Sequence, residues 1–165
     1  MKETILPLLN RSSFSHFVFK SEQDKPSKHL REVSKYVPDV SGLYFVFAKE
    51  ILSMPSEEHL RFYLDKTEYH LLYFGKAGGT TQKGKVINQK LKGRINNVVG
   101  NPSIKRAVHW NSFMIETGIT ELYVYWCSEA QPQSVEGSIY NYLNANGLAY
   151  PVLNRRLGRP PVIIE

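Results

Sequence analysis

The residues that could do chemistry in this chain begin where an apolar run stops. Leu71-Leu72-Tyr73-Phe74 gives way to Gly75-Lys76 and then to a loop of glycines and lysines, "YFGKAGGTTQKGKV". Glycine lets a backbone approach a ligand closely and lysine adds positive charge, so such a loop suits an anion. Two phosphate chemistries compete for it. From Gly79 the chain spells "GTTQKGKV", one residue away from the G-x-x-x-x-G-K-[ST] loop that cradles nucleotide phosphates. That motif needs a hydroxyl after its lysine to hold magnesium, and the residue here is Val86. A partner strand ending in aspartate is also missing, because "VYWCSE" ends in Ser128 and Glu129. The parallel sheet of that fold would need more strands than this length allows. The nucleotide-loop reading is set aside.

Charge placement points the same way as the loop. The net charge is +6, and no Asp or Glu occurs between Glu68 and Glu116. That window holds Lys76, Lys83, Lys85, Lys90, Lys92, Arg94, Lys105 and Arg106. After Glu136 the only charges before Glu165 are Arg155, Arg156 and Arg159. A one-signed face attracts polyanions by steering and counterion release. A solvated, lysine-rich surface is the plainer alternative. Lys83, Lys85, Lys90, Lys92, Lys105, Arg106, Arg155, Arg156 and Arg159 are the candidate phosphate contacts, positioning a duplex without reading it.

The second phosphate chemistry starts from pairing. Gly42-Leu43-Tyr44 begins one apolar run and Tyr73-Phe74-Gly75 ends the next; Lys76, Arg94, Glu136 and Asn154 follow in order. This set resembles the GIY-YIG nuclease family, whose signature is two such tripeptides followed by Arg, Glu and Asn. The resemblance covers roughly residues 41 to 155. The long connection between the tripeptides, "YFGKA" and "PVLN" look most like its restriction-enzyme branch, and "YxGKA" is shared with the repair-excinuclease branch. Leu43 and Phe74 stand where the family has isoleucine. Val98 stands where many members carry His or Tyr, and it continues an apolar stripe with Ile87, Leu91 and Ile95.

The resemblance implies a DNA endonuclease dependent on Mg²⁺ (Mn²⁺ possible), leaving 5′-phosphate and 3′-hydroxyl ends. Phosphodiester hydrolysis needs an activated water in line, charge neutralisation at phosphorus and a stabilised leaving oxygen. Glu136 is the expected metal ligand, since one carboxylate suffices when water and phosphate complete the octahedron. Tyr44 is the expected general base, directly or by orienting the water. A phenol with a pKa of about 10 needs a neighbouring cation for that, and Lys76 is expected to supply it. Tyr73 would bond the water or phosphate, Arg94 would clamp phosphate, and Asn154 would orient the carboxylate or its loop. Taken singly, each has a plainer reading: strand tyrosines as core aromatics, Glu136 as a helix-dipole partner, Arg94 as the flank of an amphipathic helix, Asn154 as a turn residue. An enzyme with one such site per chain would cut both strands as a homodimer.

The elements that must position these residues follow from periodicity. "GLYFVFA", "EYHLLYFG" and "ELYVYWCS" read as strands. "SMPSEEHLRFYLD" opens like a helix at Pro55 and Ser56, "KVINQKLKGRINNVV" has helical spacing, and "SVEGSIYNYLNANG" reads as a helix capped at Ser134 and stopped at Gly147. The prolines of "AYPVLNRRLGRPPVIIE" argue against regular structure there. The expected fold is α+β: a three-stranded, mostly antiparallel sheet flanked by helices over residues 39–165, behind an N-terminal helical arm over 1–38. Hydrophobic residues at 42% exclude a disordered class. A single cysteine, Cys127, excludes both an internal disulfide and a cysteine zinc cluster, which suits the cytoplasm. No apolar run approaches membrane-spanning length.

Overall fold

The computed structural model describes residues 14–49, 60–64, 66–99 and 104–156. Its elements are β1 (Ser15–Lys20), α1 (Pro26–Val33), β2 (Gly42–Ala48), β3 (Leu60–Leu64), β4 (Thr67–Ala77), α2 (Leu91–Ile95), β5 (Val98–Val99), β6 (Ile104–Lys105), α3 (Arg106–Thr117), β7 (Glu121–Ser128), α4 (Pro132–Ala145) and α5 (Val152–Arg156). The main sheet is antiparallel throughout, in the order β1-β7-β2-β4-β3. β2 lies at its centre, and every residue of "GLYFVFA" is buried. A continuous apolar run is what a strand covered on both faces requires.

One face of the sheet packs Tyr44 and Val46 with Leu30 of α1, Leu91 and Ile95 of α2, and Trp110, Phe113 and Met114 of α3. The other packs Leu43, Phe45 and Phe47 with Ile139 and Leu143 of α4. A β-bulge sorts the residues of β4 between them. Val46 opposes Tyr73 while Phe47 opposes Leu71, which leaves Leu72 as the extra residue. Leu72 and Tyr73 therefore share one face, whereas Tyr69, Leu71 and Phe74 lie on the other. Tyr73 opposes Val46 and so shares the side of Tyr44, while the inserted residue turns Leu71 and Tyr69 to the other side.

Mixed helices and an antiparallel sheet agree with the expected class, but the sheet has five strands rather than three. Residues 15–20, placed by sequence in a helical arm, form β1 and pair with β7, turning Phe17 and Phe19 inward. Only Pro26–Val33 of that arm is a helix among the described residues. Residues 60–64, placed in the helix opening at Pro55, pair with β4 through a two-residue connection. Lys66 in that connection has a φ of 65°, the left-handed conformation that tight hairpins use; Pro55 itself lies outside the described residues.

Three helix expectations also change. The 85–99 helix shrinks to Leu91–Ile95, because Thr80 and Val86 bridge into a small hairpin and Val98–Val99 pairs with Ile104–Lys105. α4 starts two residues before Ser134, with Gln131 as its cap and Pro132 in its first turn, where a missing N–H costs nothing. The proline-rich tail carries α5 over Val152–Arg156.

Candidate active site at the open edge of β4

β3 pairs with β4 only as far as Leu71, so among the described residues Leu72–Ala77 have no strand on their outer side. The sequence-predicted site residues gather around this stretch. Tyr44 and Tyr73 lie with ring centres 5.5 Å apart and hydroxyl oxygens 3.5 Å apart. Gly75 sits opposite Tyr44 in the register. A Cβ there would stand 2.8 Å from Cε1 of Tyr73 and 2.9 Å from Cε1 of Tyr44. The glycine makes room for the two rings.

Lys76 and Glu136 form a second group. Lys76 opposes Leu43, a residue of the other face, and its Nζ lies 3.5 Å from Oε1 of Glu136 on α4. Burial raises the Glu136 carboxyl above its ordinary value, opposed by the charges of Lys76 and Arg94. One turn along α4, the Tyr140 phenol is pushed up to about 12 by burial and then by the charge of Glu136.

Arg94 connects the groups. It extends from α2, donates from Nη1 to Gln89 Oε1 at 3.4 Å, and has a buried Nε with no hydrogen-bond partner among the described residues. Its charge favours ionisation of both Tyr44 and Glu136. Asn154 of α5 closes the strand edge: the Phe74 N–H donates to its Oδ1 at 3.1 Å, and its Nδ2 donates to the Phe74 carbonyl at 3.0 Å and to the Tyr140 hydroxyl at 3.1 Å. The side-chain amide replaces the neighbouring strand that β4 lacks. Asn154 thus holds the edge and Tyr140, and its described bonds do not run to Glu136.

Two sequence expectations fail on this geometry. The cation nearest the phenols is Arg106, because Lys76 is on the other face and paired with Glu136. The Arg106 guanidinium carbon lies 5.7 Å from the Tyr44 ring centre and 5.6 Å from that of Tyr73. Arg106 is 2% exposed, so it is not a surface contact for a duplex. Tyr44 is 0% exposed, and burial raises its pKa more than Arg106, next in size, lowers it. In this state Tyr44 is a hydrogen-bonding phenol rather than a ready base.

The other basic candidates divide by location. Lys83 and Lys85 are exposed on the 80–86 hairpin, and Lys105 is exposed beside α3. Lys90 is half-buried, and exposed Lys92 donates from Nζ to the Lys35 carbonyl at 3.1 Å. Arg155 and Arg156 belong to α5 by backbone, and Arg159 lies outside the described residues. Sequence reasoning took Arg106 for a surface phosphate contact rather than the neighbour of the phenols, and it missed Tyr140. The signal was present: Arg106 leads the stripe of Trp110, Phe113 and Thr117 on α3, and Tyr140 lies one turn after Glu136.

Among the described residues no three His, Cys, Asp or Glu side chains cluster as a metal site. Glu136 offers one desolvated carboxylate between two cations. That donor chemistry fits a hard cation only when substrate oxygens and water supply the remaining ligands. Among the described residues, no helix is long and apolar enough to cross a membrane. No protein family, curated protein or solved structure matches the chain.

Proposed function

We propose that the chain is a Mg²⁺- or Mn²⁺-dependent DNA endonuclease of the GIY-YIG type, acting in restriction and working as a homodimer when it cuts both strands. The observation that carries this reading is the position of Arg94, whose charge falls on both the buried phenol of Tyr44 and the carboxylate of Glu136. A scissile phosphate at the β4 edge would meet the Arg94 guanidinium and the Glu136 carboxylate, with the Tyr44 phenol behind that of Tyr73. Glu136 would hold the metal ion, which would supply Lewis-acid neutralisation of charge on the phosphate and the leaving oxygen.

The chain's own residues do the rest. Arg94 takes the phosphate oxygens with its planar guanidinium. The Tyr73 hydroxyl, to which buried Tyr44 donates, orients the attacking water, a role that a neutral phenol fills without losing its proton. Lys76 holds the Glu136 carboxylate in place and yields it to a stronger cation. Lys83, Lys85 and Lys105 contact the duplex backbone and add salt dependence.

Glu136→Ala is expected to lower plasmid cleavage by about 1,000-fold while DNA affinity stays within about threefold. Wild-type cleavage by this variant sinks the assignment. A second reading, a DNA-binding module without turnover on the same scaffold, draws on the full burial of Tyr44 and the pairing of Lys76 with Glu136. Salt-sensitive DNA binding by the wild-type chain with no cut in Mg²⁺ or Mn²⁺ selects it.

A further inference from the structure

Arg106 opens α3 with its guanidinium turned inward. Among the described residues no carboxylate lies within ion-pair distance of it. A buried charge without an opposite charge is costly, so its surroundings say what it is for. Besides the two phenol rings, Trp110 presents a third face, 5.9 Å from the guanidinium carbon. Ring faces attract a desolvated cation. Nε donates to the Arg94 carbonyl at 3.3 Å, which also accepts the Asn97 N–H at 3.4 Å. The Arg106 backbone N–H donates to the Asn97 carbonyl at 2.9 Å. One residue therefore touches both phenols and the helix that carries Arg94.

We propose that Arg106 is the positioning residue of the edge site: its guanidinium locks Tyr44, Tyr73 and the α2 backbone at Arg94 into one geometry. It also keeps an uncompensated positive charge beside the hydroxyls. The catalytic part of this inference rests on the nuclease reading; the structural coupling does not. The ammonium of Lys76 cannot substitute, because it pairs with Glu136 on the opposite side of the sheet from the phenols. A lysine at position 106 would keep the charge but lose the planar fork that meets rings and carbonyl together.

The test uses the full chain with Arg106→Gln and Arg106→Lys, followed by cleavage kinetics and by ring-carbon NMR of labelled tyrosine, with Tyr44→Phe and Tyr73→Phe as assignment controls. Arg106→Gln is expected to lower kcat by about 100-fold with KM changed less than about threefold, and Arg106→Lys to restore about tenfold of that loss. The Tyr44 and Tyr73 resonances should move in Arg106→Gln while those of the remaining tyrosines stay. A folded Arg106→Gln protein with wild-type kcat, or with both resonances unmoved, overturns the inference. If Arg106→Gln does not fold, Arg106→Lys decides: reduced kcat at unchanged KM supports the role, and wild-type kcat refutes it. A wild-type chain that cleaves nothing, with both resonances shifted in Arg106→Gln, defeats the nuclease reading and upholds the coupling.

Discussion

On the α3 side of β4 a guanidinium 2% exposed lies against aromatic rings and a carbonyl. On the α4 side an ammonium 37% exposed faces a carboxylate 18% exposed. The dry side holds its cation with ring faces and a backbone oxygen, neither of which can be displaced by an ion. The wetter side holds its cation with a single carboxylate, weakened by solvent screening and open to competition. Such an arrangement keeps the phenol geometry fixed while leaving Glu136 able to exchange its partner for another cation. Arg94 links the two sides, since its charge acts on both Tyr44 and Glu136, and Asn154 supports the strand edge between them.

Removing that edge support is the largest break available. Asn154→Ala leaves the buried N–H and carbonyl of Phe74 without their described partners and is expected to cost about 3 kcal/mol in urea denaturation. Asn154→Asp keeps an acceptor for the Phe74 N–H and should cost less than the alanine variant. Amide exchange at Phe74 should quicken in both; unchanged exchange would mean that the edge is held by something else. Gly75→Ala strikes the dry side alone. Its methyl group would meet two rings held in place by Arg106, and overpacking of this kind costs about 2 kcal/mol. Tyr73→Leu in the same chain should relieve part of that cost, and strict additivity would show that the rings do not constrain position 75.

The sequence made the central strands and the order of the site residues legible, and the physical reason is local. "GLYFVFA" can be little else than a buried strand, and α4 announces itself by helical spacing. The edge strands were hidden because β1 alternates only briefly within a polar segment, and β3 follows acids that suit a helix start. The 85–99 helix was overread because Ile87, Leu91 and Ile95 share a spacing that the Thr80–Val86 hairpin overrides in the structure. For the site, residue type and order pointed to Tyr44, Tyr73, Arg94 and Glu136, but not to which face each would occupy. That depends on strand register and on which side each helix packs, neither of which residue type and order carry. The role given to Lys76 belongs to Arg106 for the same reason: nearness in sequence to a tyrosine says nothing about the face a side chain takes.

The smallest effect tests the wetter side. Burial holds the Glu136 carboxyl above its ordinary value of 4.5, and Lys76 pulls it down. Where a carboxyl has a raised folded-state pKa, the unfolded chain loses its proton first as pH rises. Stability is therefore highest in acid, falls as pH climbs from the unfolded value toward the folded one, and is level above it. Lys76→Met removes the downward pull and widens that interval, so the variant should lose more stability than wild type on going from about pH 3.5 to about pH 8. The difference should stay below about 1 kcal/mol because water screens the half-exposed ammonium. Urea denaturation at both pH values measures it. The dry side supplies the contrast: Tyr44 and Arg106 both keep their protons across this range, so Tyr44→Phe should shift stability by the same amount at either pH. If Lys76→Met is instead equally offset at both, Glu136 does not depend on Lys76 for its charge, and the two sides differ less than their exposures imply.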